Sequence, residues 1–346
     1  VHSLGYKDLS MEKDALDLVE DGVYEAKTYD AVSAYMPDGI AVYETEGKVY
    51  ILTANEGDAR EWGDYCNEIK ATVTATDGTE AEKVRTIDAE VTDGLPEGET
   101  VLYGARSFSI YRADNDGLTK VYDSGNDFET KTAEYFPAYF NISNDDNAFD
   151  SRSPKKGPEP ESVVIGKVED KTYAFTALER IGGIMVYDIT DPEKAAFCNY
   201  INTRDFSEDP EVVEKLTGDI APEGLTFISA ENSPSETPIL LAAFEVSGTV
   251  GAYAVGEKPA EPETMVKLEI GNEKATVNGE TKELDVPVFT EQGRTFLPIR
   301  FVAEALGANV EWIDEYFKEK NMKNYYINSN IQVDSFELEV GDQSND

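Results

Sequence analysis

Histidine is almost absent from the sequence: His2 is the only one in 346 residues. Its scarcity excludes Ser-His-Asp and Cys-His catalysis, unless His2 itself serves, and it excludes zinc sites built on histidine. Cysteine is nearly as rare. Cys66 and Cys198 are too few for a disulfide-dense scaffold or a Cys-rich zinc site, and their wide separation leaves pairing undecided. Positive charge is short as well: 30 Lys and Arg stand against 70 Asp and Glu, a formal net charge of −40. Phosphate contacts need Lys and Arg, so nucleic acid is excluded as a partner, and anionic membrane surfaces are disfavoured. The same charge favours solubility and attracts cations, although most of it reads as a solvated acidic surface. No run of eighteen apolar residues occurs, so this sequence contains no membrane-spanning helix. No signal peptide opens it either. It begins at Val1, and a signal peptide is expected upstream.

What the sequence does hold is a repeat. Pro37-Asp38-Gly39-Ile40 aligns with Pro160-Glu161-Ser162-Val163. Continued without a gap, Tyr50 falls on Tyr173, Thr53-Ala54 on Thr176-Ala177, and Glu56 on Glu179. A third copy runs from Pro222-Glu223-Gly224-Leu225 to Ala242-Ala243-Phe244-Glu245. Glycine turns follow, with further strand-like runs at Ile184–Tyr187, Thr249–Tyr253 and Ser107–Tyr111. Short β-branched and aromatic runs split by Gly, Pro, Asn and Asp are strand signals. Self-similarity at some tens of residues points to propellers or solenoids, and four-stranded sheets around a channel hide their own edges. The fold expected is therefore mainly β: a partial β-propeller over 1–256, with N-terminal blades missing, then a small α+β domain. An ordinary sandwich with similar turns is the competing architecture.

If like segments fold alike, their matching acids gather at one mouth. Asp38, Glu161 and Glu223 sit at equivalent turns, and Glu56, Glu179 and Glu245 at equivalent strand ends. With Asp58, these are the candidate metal ligands, and Ca²⁺ is the candidate cofactor, because carboxylate oxygens suit a hard cation. Asn55, Arg60, Arg106 and Arg180 are candidate ligand-binding residues, since guanidinium groups clamp phosphate through paired hydrogen bonds. A structural explanation competes with each of these. Asn55 and Asp58 are also the residues of a self-bonded turn, and repeated Glu and Arg also make ion pairs between sheets.

The segments between the repeats are less informative. Residues 1–35 read as a strand from Val1 to Tyr6 followed by a polar excursion, and residues 71–100 as a polar connection. Residues 101–128 read as a hairpin, 134–156 as a long loop of the functional or disordered kind, and Pro210 to Leu216 as helix-compatible. Lys258–Thr264 is a Pro/Glu linker. Beyond it, Val266–Ile270 alternates as a strand, Asn278-Gly279 is a hairpin turn and Leu284–Phe289 is another strand. Ile299, Val302, Ala303 and Leu306 share a helix face between Pro298 and Gly307. Residues 331–346 read as an acidic, frayed tail.

Several of these motifs resemble the bacterial choice-of-anchor I family, which is related in description to mesenchyme-specific cell-surface glycoproteins. They are Tyr35–Ile40, Thr53–Arg60, Gly104–Ile110, Asp150-Ser151-Arg152-Ser153, Gly157–Glu161 and Leu178–Gly183. The resemblance covers about residues 1–255. It implies an extracytoplasmic, propeller-like protein, longer at its N-terminus, and some members carry phosphatase or phytase-like esterase labels. Where the family often has acids after the Ser-Arg-Ser step, this sequence has Pro154-Lys155-Lys156. About residues 266–314 resemble the N-terminal domain of copper amine oxidases, through Asn278-Gly279, Leu284–Pro287, Gly293–Phe301 and Glu304–Ala308. That implies a small sheet around one helix acting as a stalk, with no copper chemistry. Two functions are therefore expected. The first is a secreted or cell-surface module that binds a cell-wall or extracellular ligand, with the stalk non-catalytic. The alternative is a calcium-dependent phosphoesterase.

Overall fold

The computed structural model describes residues 2–207, 218–256, 264–291, 294–296, 298–305, 309–311, 326–328 and 336–341. The helix-compatible run Pro210 to Leu216, nearly all of the Pro/Glu linker, and Leu306 and Gly307 lie outside them. Two compact units divide the chain, Val1–Gly256 and Glu257–Asp346. Both are mainly β.

The three sequence repeats become three antiparallel sheets built to one plan. In the first, Ile40–Thr45 pairs with Lys48–Asn55, which pairs with Ser107–Asp114 and then Gly117–Asp123. Pro160–Val168, Lys171–Leu178, Ile184–Asp188 and Ala196–Ile201 form the second sheet. The third holds Pro222–Ile228, Ile239–Phe244 and Thr249–Ala254. Register follows the repeat: Ile40 lies opposite Thr53, Val163 opposite Thr176, and Leu225 opposite Ala242.

The middle sheet is buried on both faces, which explains its unbroken apolar runs. Side chains alternate across a strand. Ala174, Met185 and Tyr187 therefore join a core with Leu52, Phe108 and Ile110 of the first sheet. Phe175, Ile184 and Val186 join Leu240, Ala242 and Phe244 of the third. Burying one ring such as Phe175 contributes about 1.5–3 kcal/mol. The opening strands are also neighbours: Pro160–Val168 packs against both Ile40–Thr45 and Pro222–Ile228. The Gly39 N–H donates to the Glu161 carbonyl at 2.9 Å.

Several connecting segments differ from the sequence reading. Residues 71–100 are no mere connection. Glu68–Thr74 and Glu80–Ile87 pair with each other, and a separate five-stranded sheet places Tyr6–Asp8, Val32–Ala34 and Val101–Tyr103 beside them. Val73, Ala81 and Val84 point into its core, an inward set hidden among the charged residues around it. The N-terminal strand is Tyr6–Asp8. A helix, Asp127–Tyr135, follows the Gly117–Asp123 strand. The long loop after it is packed: Phe140, Asn141, Ile142, Asp150 and Ser153 are all buried. Cys66 and Cys198 are both exposed and unpaired.

In the second unit, Thr264–Glu269, Lys274–Val277 and Glu280–Glu283 pair in sequence. The turn at Asn278 (φ 52) and Gly279 (φ 82) carries the two positive dihedrals that a tight hairpin demands. The helix spans Ile299–Ala305, with Val302 in a core beside Val266, Leu268 and Val288. Two expectations are corrected here. Leu284–Pro287 is irregular, and only Phe289–Glu291 is extended. Within the acidic tail, Phe336–Gly341 is a strand parallel to Thr264–Glu269. Phe336, Leu338 and Val340 alternate with Glu337 and Glu339, and that period outweighs the acidic composition.

Candidate functional site: a divided carboxylate cluster

The opening strand of each repeat is entered through the same strained elbow. The residue before each proline has a left-handed backbone: Met36 at φ 41, Glu159 at φ 52 and Ala221 at φ 60. None is glycine, and such a conformation costs on the order of 1–3 kcal/mol. In the second and third copies a bulge follows at once. Pro160 pairs with Leu178 but Val163 with Thr176, and Pro222 pairs with Phe244 but Gly224 with Ala243. A bulge leaves a residue out of the ladder and re-aims its side chain. Glu161 and Glu223 are the acids so released. Opposite them, the Glu179 N–H donates to the Glu159 carbonyl at 2.8 Å, and the Glu245 N–H to the Ala221 carbonyl at 2.8 Å. In the first copy the Gly57 N–H donates to the Met36 carbonyl at 3.1 Å. Gly57 (φ 82) and Gly104 (φ 67) cross so closely there that neither backbone leaves room for a Cβ.

These elbows bring most of the candidate acids together. Carboxylate oxygens of Asp38, Glu56 and Glu161 lie within 4.8 Å of one another, and so do those of Glu56, Glu159 and Glu179. Glu223 and Glu245 are exposed but near enough to act electrostatically. Burial, then the charges of Glu56, Glu179, Glu223 and Asp38, push the Glu161 carboxyl up to about 8. Burial also raises Glu56, against the pull of Lys156. Burial first, then Glu245, raises Glu223.

The two halves of the cluster differ in their cations. Lys156 Nζ lies 3.0 Å from Glu56, 3.1 Å from Asp58 and 3.3 Å from Glu159. Arg180 meets Glu159 at 2.9 Å and Glu179 at 3.1 Å, and Arg152 also pairs with Glu159. The Asn144 amide donates to Glu179 at 3.0 Å. The Glu56–Glu159–Glu179 group is thus filled by side-chain cations and does not fit a metal. Among the described residues neither Asp38 nor Glu161 has a cationic partner, and the buried Glu161 Oε2 has no hydrogen bond. Asp38, Glu56 and Glu161 therefore fit a hard cation, which takes oxygen ligands.

Beside the cluster opens a cleft of ≈ 420 Å³, lined by Arg60, Trp62, Arg85, Arg152, Lys156 and Arg180 among others. Burial, with Arg180 and Arg85 nearby, lowers the Arg152 guanidinium to about 9. Asp58 stands on the rim, exposed, bonded to Lys156.

Two predicted ligand-binding residues lie elsewhere. Arg106 is 1% exposed, and its two terminal nitrogens are engaged by Glu129, by the Asp17 carbonyl at 3.2 Å and by the Ser153 and Lys155 carbonyls at 2.9 Å. It ties the packed loop to the first sheet, and its burial closes it to a ligand. Asn55 is buried too. Its amide donates to Ser107 at 3.2 Å and Ser109 at 2.9 Å, and its carbonyl accepts from Thr53 at 2.8 Å. Glu159, Arg152, Lys156 and Arg85 were not among the site residues expected from the sequence. Glu159 was signalled by its place before the repeat proline, where the other copies have Met36 and Ala221, Arg152 by the Ser-Arg-Ser motif, and Lys156 by standing where the family often has acids.

Fold and site together define a mainly β protein whose repeated sheets carry their charged residues at one shared end. The chain belongs to the choice-of-anchor I family, whose domain matches residues 1–192, and residues 258–317 match the copper amine oxidase N-terminal domain. It is 27% identical over 181 residues to Gigasin-3a of Magallana gigas, covering 50% of this chain and 63% of that protein. It is 26% identical over 217 residues to Mesenchyme-specific cell surface glycoprotein of Strongylocentrotus purpuratus, covering 47% of this chain and 27% of that one. The chain spans less than two thirds of the length of either relative.

Proposed function

We propose that the chain is an extracellular or cell-surface module whose three sheets are propeller blades, and that it binds its ligand at their charged end. In this reading Ca²⁺ is held by Asp38, Glu56 and Glu161, and the second unit is a non-catalytic stalk. The observation that carries the reading is the divided cluster: three carboxylates within 4.8 Å, two of them without a side-chain cation, beside an open cleft. The family membership and the printed name of the sea-urchin relative support the location. No helix among the described residues is long and apolar enough to cross a membrane.

A calcium-dependent phosphoesterase is the second reading, and the arginine-lined cleft favours it. Bound calcium would polarise a phosphoryl group and activate water. Arg60 and Arg180 would hold the phosphate oxygens. Calcium calorimetry on the folded protein tests both readings. Micromolar binding that Glu161→Gln abolishes supports the site, and chelator-sensitive turnover of p-nitrophenyl phosphate promotes the enzyme. A folded protein with neither signal loses both.

A further inference from the structure

We propose that the cleft takes an acidic saccharide, with its carboxylate or sulfate against the arginines and one sugar face against Trp62. This deepens the ligand-binding reading above and rests on it. The hairpin Glu61–Trp62 and Tyr65–Cys66 sets an indole at the cleft, 72% exposed and stacked on Tyr65 at 6.1 Å and 19°. Stacking holds the ring as a flat apolar plate in water, a costly arrangement unless something covers it. The other walls carry guanidinium groups that are only partly met: Arg85 pairs with Glu68 at 3.2 Å, and Arg152 and Arg180 pair with Glu159. The Nε atoms of Arg152 and Arg85 are buried without a hydrogen-bond partner, and Arg152 is only 7% exposed. Arg60 has no ion pair among the described residues. The planar fork of arginine matches a carboxylate, sulfate or phosphate group. A bare oxyanion would leave the indole uncovered, and a neutral sugar would leave Arg60 without a counter-charge. Asp58 and Glu61, also on the cleft wall, offer acceptors that sugar hydroxyls satisfy and a hydrocarbon ring does not.

The test titrates the whole chain with trigalacturonate, with calcium chelated, by calorimetry and by tryptophan fluorescence. Binding with a fluorescence change is expected. Trp62→Ala should abolish that change, and Arg60→Ala combined with Arg85→Ala should weaken binding roughly tenfold, a charge-assisted hydrogen bond's worth. Both sets of substitutions lie outside the buried core, and circular dichroism checks their fold. Equal binding of neutral galactotriose, or binding indifferent to these substitutions, overturns the proposal. So does failure of the folded protein to bind trigalacturonate. Because calcium is absent throughout, that failure leaves the Asp38–Glu56–Glu161 reading standing or falling on its own titration.

Discussion

Glu159 and Glu161 are two residues apart, buried in the same elbow, and they live in opposite electrostatic worlds. Glu159 is met by Arg152, Lys156 and Arg180. Glu161 faces Glu56, Glu179, Glu223 and Asp38, all of its own sign. Between them stands Pro160, where the backbone passes from a left-handed residue into a bulge and turns the second carboxylate away from the first. A buried charge persists only when it is paired or when it sheds its charge. Glu159 takes the first course and Glu161 the second, by holding its proton. The lesson is that carboxylate number says little about a cation site. What matters is which carboxylates the protein has already neutralised with its own side chains.

The contrast is open to direct attack. The largest effect is expected from Glu159→Ala, which strands buried Arg152 and takes one of their acids from Lys156 and Arg180. Removing one partner of a buried ion pair costs about 3–5 kcal/mol, and urea denaturation should show a loss of that order. Glu161→Gln should act in the opposite direction. The native state binds the Glu161 proton more tightly than the unfolded chain does, whose glutamates titrate near about 4.3. The stability this proton confers is fully present below that value and is lost as pH rises through about 8. The wild type should thus weaken, by on the order of a few kcal/mol, from acid to alkaline pH. Glu161→Gln should flatten that slope, and denaturation series across the window will show whether it does. Lys156→Met should cost on the order of 1–2 kcal/mol by leaving Glu56 less neutralised, and calcium calorimetry should register the site's greater negative charge as tighter binding. Glu245→Gln lies at the exposed margin, and its melting point should reflect a change within about 0.5 kcal/mol. A large shift there would erase the distinction between the inner acids and the rim.

Much of the architecture was legible because the repeat carries it. Pro37, Pro160 and Pro222 mark the elbows, and the acid after each marks the bulge residue or its equivalent. The sheets follow from apolar strands, and the gapless alignment of the first two copies already set their register. What stayed hidden was long-range. Arg106 and Arg180 look alike in sequence, yet one is sealed against Glu129 and the other lines a cleft. Only the packing of the loop around Asn141–Ser153 decides between them, and irregular backbone has no period to read. The five-stranded sheet was missed for a related reason. Its strands Glu68–Thr74 and Glu80–Ile87 carry charges on the exposed face, which mask a sparse inward set. Asn55 was misplaced because turn chemistry and a buried hydroxyl network use the same residue type.

Lys156 gives the molecule a counter-ion that no chelator removes. A dissolved ion comes and goes with the composition of the surrounding fluid, whereas an ammonium on its own backbone is present at fixed stoichiometry from the moment the chain folds. Half of the carboxylate assembly is thereby insulated from mineral supply. The elbow around Glu159 should keep its shape in a calcium-poor medium, and under the proposed calcium reading only the Asp38–Glu161 half would report on the outside.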